Sequence, residues 1–294
     1  MDDHLIHSHT KKRLGDVIAK PPQCLLIYGI PGAGKLTLAR MIAAELLKTP
    51  ADKLDKHPYF IHISKHEGKQ DIPLEDVRGL IKQISLRAVS SIEGDTNRIV
   101  IIEEANRLSG EAQNALLKII EEPPAKTTFI LTAPTDSSVL PTIASRSEKL
   151  AVRPVMLDEA SRFFSARFNE DKIESAWRLS GGAAGLMSAL LTDDQVHPLK
   201  SAVEQAKQFL AADRYSRLLM LDSLSDDKTR FSEVLDALSR TLTALHHSAI
   251  KNHNSPLAAR LLRARKMVDA AQNSVSKNTS GRLLAIDLAQ QLPV

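Results

Sequence analysis

Gly29-Ile30-Pro31-Gly32-Ala33-Gly34-Lys35 has the G-x-x-x-x-G-K spacing of a loop that holds phosphate. Glycines in such a loop let backbone N–H groups turn inward around phosphate oxygens, the helix that follows aims the positive end of its dipole at them, and the lysine reaches the outer phosphates. A magnesium-dependent site needs a Ser or Thr hydroxyl at the next position. Here that position is Leu36, which has no oxygen to offer. Thr37 carries a hydroxyl one residue later, about 100° further round the helix. A second candidate is Ile99-Val100-Ile101-Ile102-Glu103-Glu104, an apolar run ending in two acids. The usual pair is an Asp that helps hold the metal and a Glu that orients the attacking water. Glu103 stands in the first place, and its extra methylene shifts the carboxylate by about 1 Å, enough to spoil a tight octahedral magnesium shell. Glu104 is in the second place.

These groups need particular elements to position them. Cys24–Tyr28, Ile99–Ile102 and Thr128–Thr132 are short, continuously apolar runs, which read as strands buried on both faces. Helical patterns lie between them, at Leu38–Leu47 and Gln113–Ile120. Alternation of this kind through residue 150 predicts a parallel sheet covered by helices, with the ligand crevice at the carboxyl ends of the strands. After Arg153-Pro154 only helical patterns remain, at about 158–168, 173–179 and 186–191. Further on, Phe231, Val234, Leu235, Leu238, Leu242 and Leu245 recur at the spacing of one buried helix face. Asn254-Ser255-Pro256 reads as the capped start of another helix, through about Asn273.

The chain has 294 residues, 43% hydrophobic and 25% charged, a composition that excludes disordered, collagen and coiled-coil classes. No apolar run approaches the roughly 18 residues of a membrane span, and MDDHLIHSH lacks a signal pattern, so no membrane association and a cytoplasmic location are expected. A single cysteine, Cys24, rules out an internal disulfide and a thiolate metal cage. Residues 201–294 hold 13 Lys and Arg against 9 Asp and Glu, whereas residues 1–200 balance at 26 against 26. An excess this small reads as a solvated helical surface rather than a nucleic-acid stripe.

Glu103-Glu104-Ala105-Asn106-Arg107-Leu108, Ala112-Gln113-Asn114-Ala115-Leu116-Leu117-Lys118 and Glu121-Glu122-Pro123-Pro124 together resemble the central block of bacterial clamp-loader subunits. Leu140-Pro141-Thr142-Ile143-Ala144-Ser145-Arg146-Ser147 resembles the Ser-Arg-Cys motif that follows it in that family, with serine in place of cysteine. The likeness extends, more weakly, from about Leu14 to Leu292 and includes Ile72-Pro73-Leu74-Glu75-Asp76-Val77-Arg78. It implies an α/β P-loop (AAA+) domain with a parallel sheet over residues 1–154, a small helical lid over 155–197 and an all-α collar domain over 198–294. It also implies DNA replication as the process, within the DNA polymerase III holoenzyme, a DNA-directed DNA polymerase. The partners implied are the gamma/tau and delta subunits, a sliding clamp and, indirectly, primed DNA.

Carried onto this sequence, the resemblance makes Arg146 an arginine finger acting in trans on a neighbouring subunit's ATP and Glu104 a vestigial catalytic acid. The candidate nucleotide contacts are Gly29, Pro31, Gly32, Ala33, Gly34, Lys35, Leu36, Thr37 and Glu103, with no metal ligand. Motor subunits place an arginine near the start of the third lid helix, where this chain has Gly185. Leu36, Glu103 and Gly185 together point to the non-motor, delta prime type, without ATPase activity of its own, its ATP bound weakly or not hydrolysed. An ATP-hydrolysing gamma/tau-like motor, with Glu103 and Thr37 still holding the metal, is the alternative, and an unrelated P-loop kinase is a third reading. Many relatives carry a four-cysteine zinc module, but residues 48–70 hold only His57, His62 and His66, which read as surface or loop residues, so no zinc is expected. Trp177 and Phe163-Phe164-Phe168 read as lid core rather than a base-stacking platform.

Overall fold

The computed structural model describes residues 4–66, 71–88, 98–192, 198–225, 228–276 and 280–293. The chain divides into two compact units, Met1–Val155 and Met156–Val294. In the first, the elements run α1 (Ser8–Ala19), β1 (Cys24–Tyr28), α2 (Lys35–Leu46), β2 (Phe60–Ile63), α3 (Leu74–Ala88), β3 (Arg98–Ile102), α4 (Gly110–Glu121), β4 (Thr127–Ala133), α5 (Pro141–Arg146) and β5 (Glu148–Ala151). The five strands form one parallel sheet in the order β2-β3-β4-β1-β5.

Alternate residues of each central strand feed opposite faces, as a pleated sheet buried on both sides requires. Leu26, Val100, Ile102, Phe129 and Leu131 pack with α3, α4 and α5 through Val77, Leu80, Leu116, Ile120 and Ile143. Leu25, Ile27, Ile99, Ile101 and Ile130 pack with α1 and α2 through Leu14, Val17, Leu38 and Ile42. The edges are pinned by polar contacts. Thr10 Oγ1, fully buried on α1, donates to the Ala151 carbonyl at 3.2 Å and accepts from the Arg153 amide at 3.1 Å.

The apolar runs read from the sequence are β1, β3 and β4, whereas β2 and β5 are additional strands on the two sheet edges. The helix expected from Leu38 begins at Lys35, because the glycine loop feeds directly into its first turn.

The second unit holds α6 (Leu157–Phe164), α7 (Glu170–Ser180), α8 (Ala184–Thr192), α9 (Pro198–Ala211), α10 (Arg214–Ser225), α11 (Lys228–Lys251), α12 (Ser255–Ser276) and α13 (Gly281–Gln291). Residue 197, where lid and collar were expected to meet, lies outside the described residues. The helix expected to reach 168 stops at Phe164, and Asn169 caps the next one by accepting from the Lys172 amide at 3.0 Å. Leu235, Leu238 and Leu242 of α11 pack with Leu261, Ala264 and Val268 of α12 in one core. Leu245, expected on that buried face, is instead 42% exposed, at the rim of a groove with Leu179 and Leu210. Arg217 ties three helices: its guanidinium donates to Phe209, Leu210 and Leu292 carbonyls at 3.0, 3.0 and 3.3 Å.

One buried side chain in the first unit bears on function. Gln113 of α4 donates through Nε2 to the Leu108 carbonyl at 3.0 Å and accepts at Oε1 from the Leu140 amide at 2.8 Å. It therefore fastens the loop after β3 to the start of α5, the helix that ends in Arg146. Gln113→Ala leaves a buried donor and acceptor without these partners and is expected to lower stability by about 2 kcal/mol in urea denaturation. Asn114→Ala, at the exposed neighbouring position, is expected to change it by less than about 0.5 kcal/mol.

Candidate functional site

The phosphate loop leaves β1 and closes on itself before α2. Gly32 and Gly34 hold left-handed conformations, with φ of 78° and 90°, which side chains rarely adopt. Gly29 is constrained differently, since a Cβ there would stand 2.6 Å from the Val152 carbonyl oxygen. Gly34 precedes α2 without a side-chain cap, so the first amides of a 12-residue helix remain available to an anion. Lys35 folds back over the loop, and its Nζ donates to the Gly29 and Ile30 carbonyls at 2.8 and 3.1 Å. Burial lowers its pKa, while the Glu104 and Glu103 charges act in the opposite direction.

The neighbouring positions do not complete a metal site. Leu36 is half-buried against the core beneath α2, and Thr37 is exposed. Ala33 is buried, and Pro31 is exposed. Glu103, at the end of β3, has its amide bonded to the Ile63 carbonyl at 2.8 Å, and its Oε2 lies 3.3 Å from His62 Nε2 on β2. Glu104 adopts a left-handed conformation, φ 50° and ψ 54°, uncommon for a residue with a side chain. Its amide donates to Thr132 Oγ1 at 2.9 Å, and its Oε2 accepts from Arg107 Nε at 2.6 Å. Both acids of the second motif thus face a basic side chain of the same unit.

These surroundings set what the site can hold. The glycine turns, the open start of α2 and Lys35 fit a polyphosphate. They do not fit its magnesium ion, because Leu36 supplies no oxygen, Glu104 is bonded to Arg107 and Glu103 lies beside His62. Among the described residues, no group of three or more His, Cys, Asp or Glu is arranged to hold a metal. The histidines of the 48–70 stretch are spent separately: His57 Nδ1 accepts from the Tyr59 amide at 3.3 Å, His62 faces Glu103, and His66 lies 2.7 Å from Asp76.

Arg146 ends α5, whose buried Ile143 and Ala144 anchor it. Its guanidinium pairs with Glu121 of α4 at 2.7 Å and donates to the Thr142 carbonyl at 3.3 Å, with 43% of the side chain exposed. Gly185 lies in the first turn of α8 in the second unit. Sequence reasoning singled out the loop, the two acids and Arg146, but not His62, Arg107, Thr132 or Glu121 as their partners. The one available signal was His62 itself, a polar residue within the β-prone Phe60–Ile63.

A parallel sheet with a phosphate loop after β1 and an acidic pair after β3 defines an AAA+ P-loop domain, here followed by helices. A DNA polymerase III gamma subunit-related protein from Thermotoga maritima shares this fold, with a TM-score of 0.54 at 16% identity over 95% of this chain and 96% of that one. The family model described as "DNA polymerase III, delta subunit" matches residues 7–156, just over half of the sequence, and the chain belongs to that family. Among curated relatives, DNA polymerase III subunit delta' of Pseudomonas aeruginosa is 31% identical over 183 residues, 56% of this chain and 54% of that protein. The Escherichia coli subunit of the same name is 26% identical over 247 residues, 78% of this chain and 70% of that protein. The chain therefore spans about half the length of the first relative and more of the second.

Cys24, the lone cysteine, begins β1 beneath Arg146's neighbour Ser147, with Sγ and Oγ 3.2 Å apart. Burial pushes its thiol from the ordinary 9.0 up to about 11. Because the folded value is the higher one, this contribution to stability is complete below about pH 9 and is lost as pH rises toward 11. Urea denaturation is expected to show a loss of about 2–3 kcal/mol across that interval relative to Cys24→Ala, whose profile lacks this component.

Proposed function

We propose that the chain is a non-motor, delta prime-type subunit of a DNA polymerase III clamp loader. In this reading it acts in the cytoplasm beside gamma/tau and delta subunits and helps place a sliding clamp on primed DNA. The lid would comprise residues 155–197 and the assembling collar 198–294. The observation that carries the non-motor assignment is the self-occupied half of the nucleotide site: Leu36 faces the core, and Glu103 and Glu104 lie against His62 and Arg107. Gly29, Pro31, Gly32, Ala33, Gly34, Lys35 and the adjoining Leu36, Thr37 and Glu103 could still surround a nucleotide, bound weakly and not hydrolysed.

In the same reading Arg146 works outside its own chain. Its partner Glu121 is 46% exposed, and a surface ion pair of this kind contributes only about 0–1 kcal/mol. The guanidinium is thus parked rather than locked, and it can leave Glu121 for a phosphate held by an adjacent subunit at little cost. Guanidinium charge placed against developing phosphoryl charge is worth about 10³–10⁵ in rate.

In a reconstituted clamp loader, Arg146→Ala is expected to preserve assembly by size exclusion while the ATP site it completes loses about 10³-fold or more in turnover. Unchanged turnover removes the trans role. The isolated chain is expected to show no magnesium-dependent hydrolysis. Hydrolysis that Lys35→Ala abolishes would instead establish the motor reading.

A further inference from the structure

The net positive excess of this chain is concentrated in one place. Residues 251–266 hold five Lys and Arg and no Asp or Glu, whereas the rest of the chain carries 34 against 35. The whole positive excess therefore comes from the end of α11 and the first half of α12. Two of the five cations are compensated: Lys251 lies 3.3 Å from Glu174, and Arg265 lies 3.7 Å from Asp269. The other three, Arg260, Arg263 and Lys266, are exposed, and none is ion-paired to a described residue.

The packing of α12 explains how these three share a surface. Leu261, Ala264, Val268, Ala271 and Val275 recur at three and four residues and are buried against the helical core. Arg260, Arg263 and Lys266 are spaced by three on the side away from that stripe. They span about 120° of the helix surface and rise about 9 Å along it. We propose that this face of α12 binds the phosphate backbone of a nucleic-acid duplex directly, without reading its sequence.

The chemistry of the face selects that occupant. One strand of a duplex presents a phosphate about every 3.4 Å of axis, so a 9 Å track of three cations faces two or three of them. Hot spots of protein interfaces are Trp, Tyr and Arg seated in desolvated pockets, whereas α12 presents Arg260 and Arg263 on an exposed helix face and contains no Phe, Trp or Tyr. The same lack denies a stacking platform for unpaired bases. Ala259 and Ala270, exposed beside the cations, leave room for a bulky backbone to approach. Two of the three are arginines, whose planar fork grips phosphate oxygens in pairs. This inference concerns the isolated chain and does not rest on the clamp-loader reading.

The test is fluorescence anisotropy of a labelled 20-base-pair duplex with the full chain, titrated between 50 and 200 mM KCl. Three phosphate contacts predict that log K falls against log salt with a slope of about −3. Arg260→Gln/Arg263→Gln/Lys266→Gln is expected to weaken binding at least tenfold and bring the slope close to zero, with helix content preserved because glutamine is as good a helix former. Lys12→Gln/Lys20→Gln/Lys48→Gln removes the same charge from exposed positions in the first unit and is expected to bind within about twofold of the parent. Arg263→Glu alone, at a solvent-facing position, is expected to act in the same direction as the patch variant. The proposal is overturned if the parent shows no salt-dependent binding, if either patch variant binds like the parent, or if the control loses as much as the patch variant. Displacement of the duplex by poly-glutamate as readily as by unlabelled duplex at equal charge would likewise overturn it, in favour of an acidic protein partner.

Discussion

Gly29 is the point at which the fold and the site constrain each other most tightly. It follows β1, which is hydrogen-bonded on one side to β4 and on the other to β5, and it passes so close to Val152 that a single added carbon would collide with the carbonyl at 2.6 Å. With β1 held on both sides, the loop must turn over the sheet immediately, which forces Gly32 and Gly34 into left-handed conformations and delivers Lys35 to the first turn of α2. The registers of β1 with β4 and of β4 with β3 then fix where Glu103 and Glu104 emerge relative to that lysine. Shifting any of these strands by one residue would invert the faces of a sheet buried on both sides.

Within that frame, the site is closed by its own side chains. The Glu104–Arg107 pair is modest alone, since partly exposed ion pairs contribute about 1 kcal/mol or less. The combined effect of these side chains on a cation is larger. A magnesium ion approaching this site would have to compete with Arg107 for Glu104 and would still lack a hydroxyl at position 36. An octahedral ion that sheds water reluctantly gains little from such an exchange. The same residues leave the amides at the start of α2 untouched, so a poor fit to metal and an intact phosphate cradle are physically separable.

The sequence exposed the parts of this structure that depend on local chemistry. β1, β3 and β4 were legible because strands buried on both faces are continuously apolar, and the phosphate loop was legible because its glycines and lysine have fixed spacing. The edge strands were not, since Phe60–Ile63 carries a histidine and Glu148–Ala151 begins with two charged residues, patterns that local hydropathy assigns to loops. The partners of the site residues were hidden for a different reason. His62 and Glu103 meet only because β2 lies beside β3, and Gln113 meets Leu140 only because α4 and α5 cover the same face. The basic excess of the last third was visible as a count, but a count does not say whether charges share a surface. That depended on which residues of α12 the helical core would bury.

The loop's persistence in a chain that does not fit magnesium has a structural explanation. The Gly29 and Ile30 carbonyls point into a turn with no strand partner, and the Lys35 ammonium satisfies both at 2.8 and 3.1 Å. Removing that lysine would leave the Gly29 carbonyl without this donor, while the Ile30 carbonyl keeps the Ala33 amide at 3.2 Å, and replacing Gly32 or Gly34 would strain the backbone, whether or not a nucleotide ever enters. The G-x-x-x-x-G-K spacing therefore also serves the turn by which β1 joins α2 and is weak evidence of hydrolysis when taken alone. The informative positions are those the turn does not need. Leu36→Thr would keep the turn while giving up apolar contact with the core beneath α2, and Glu103 could be an aspartate at the end of the same strand. Because the turn demands neither departure, both bear on metal binding rather than on the path of the chain.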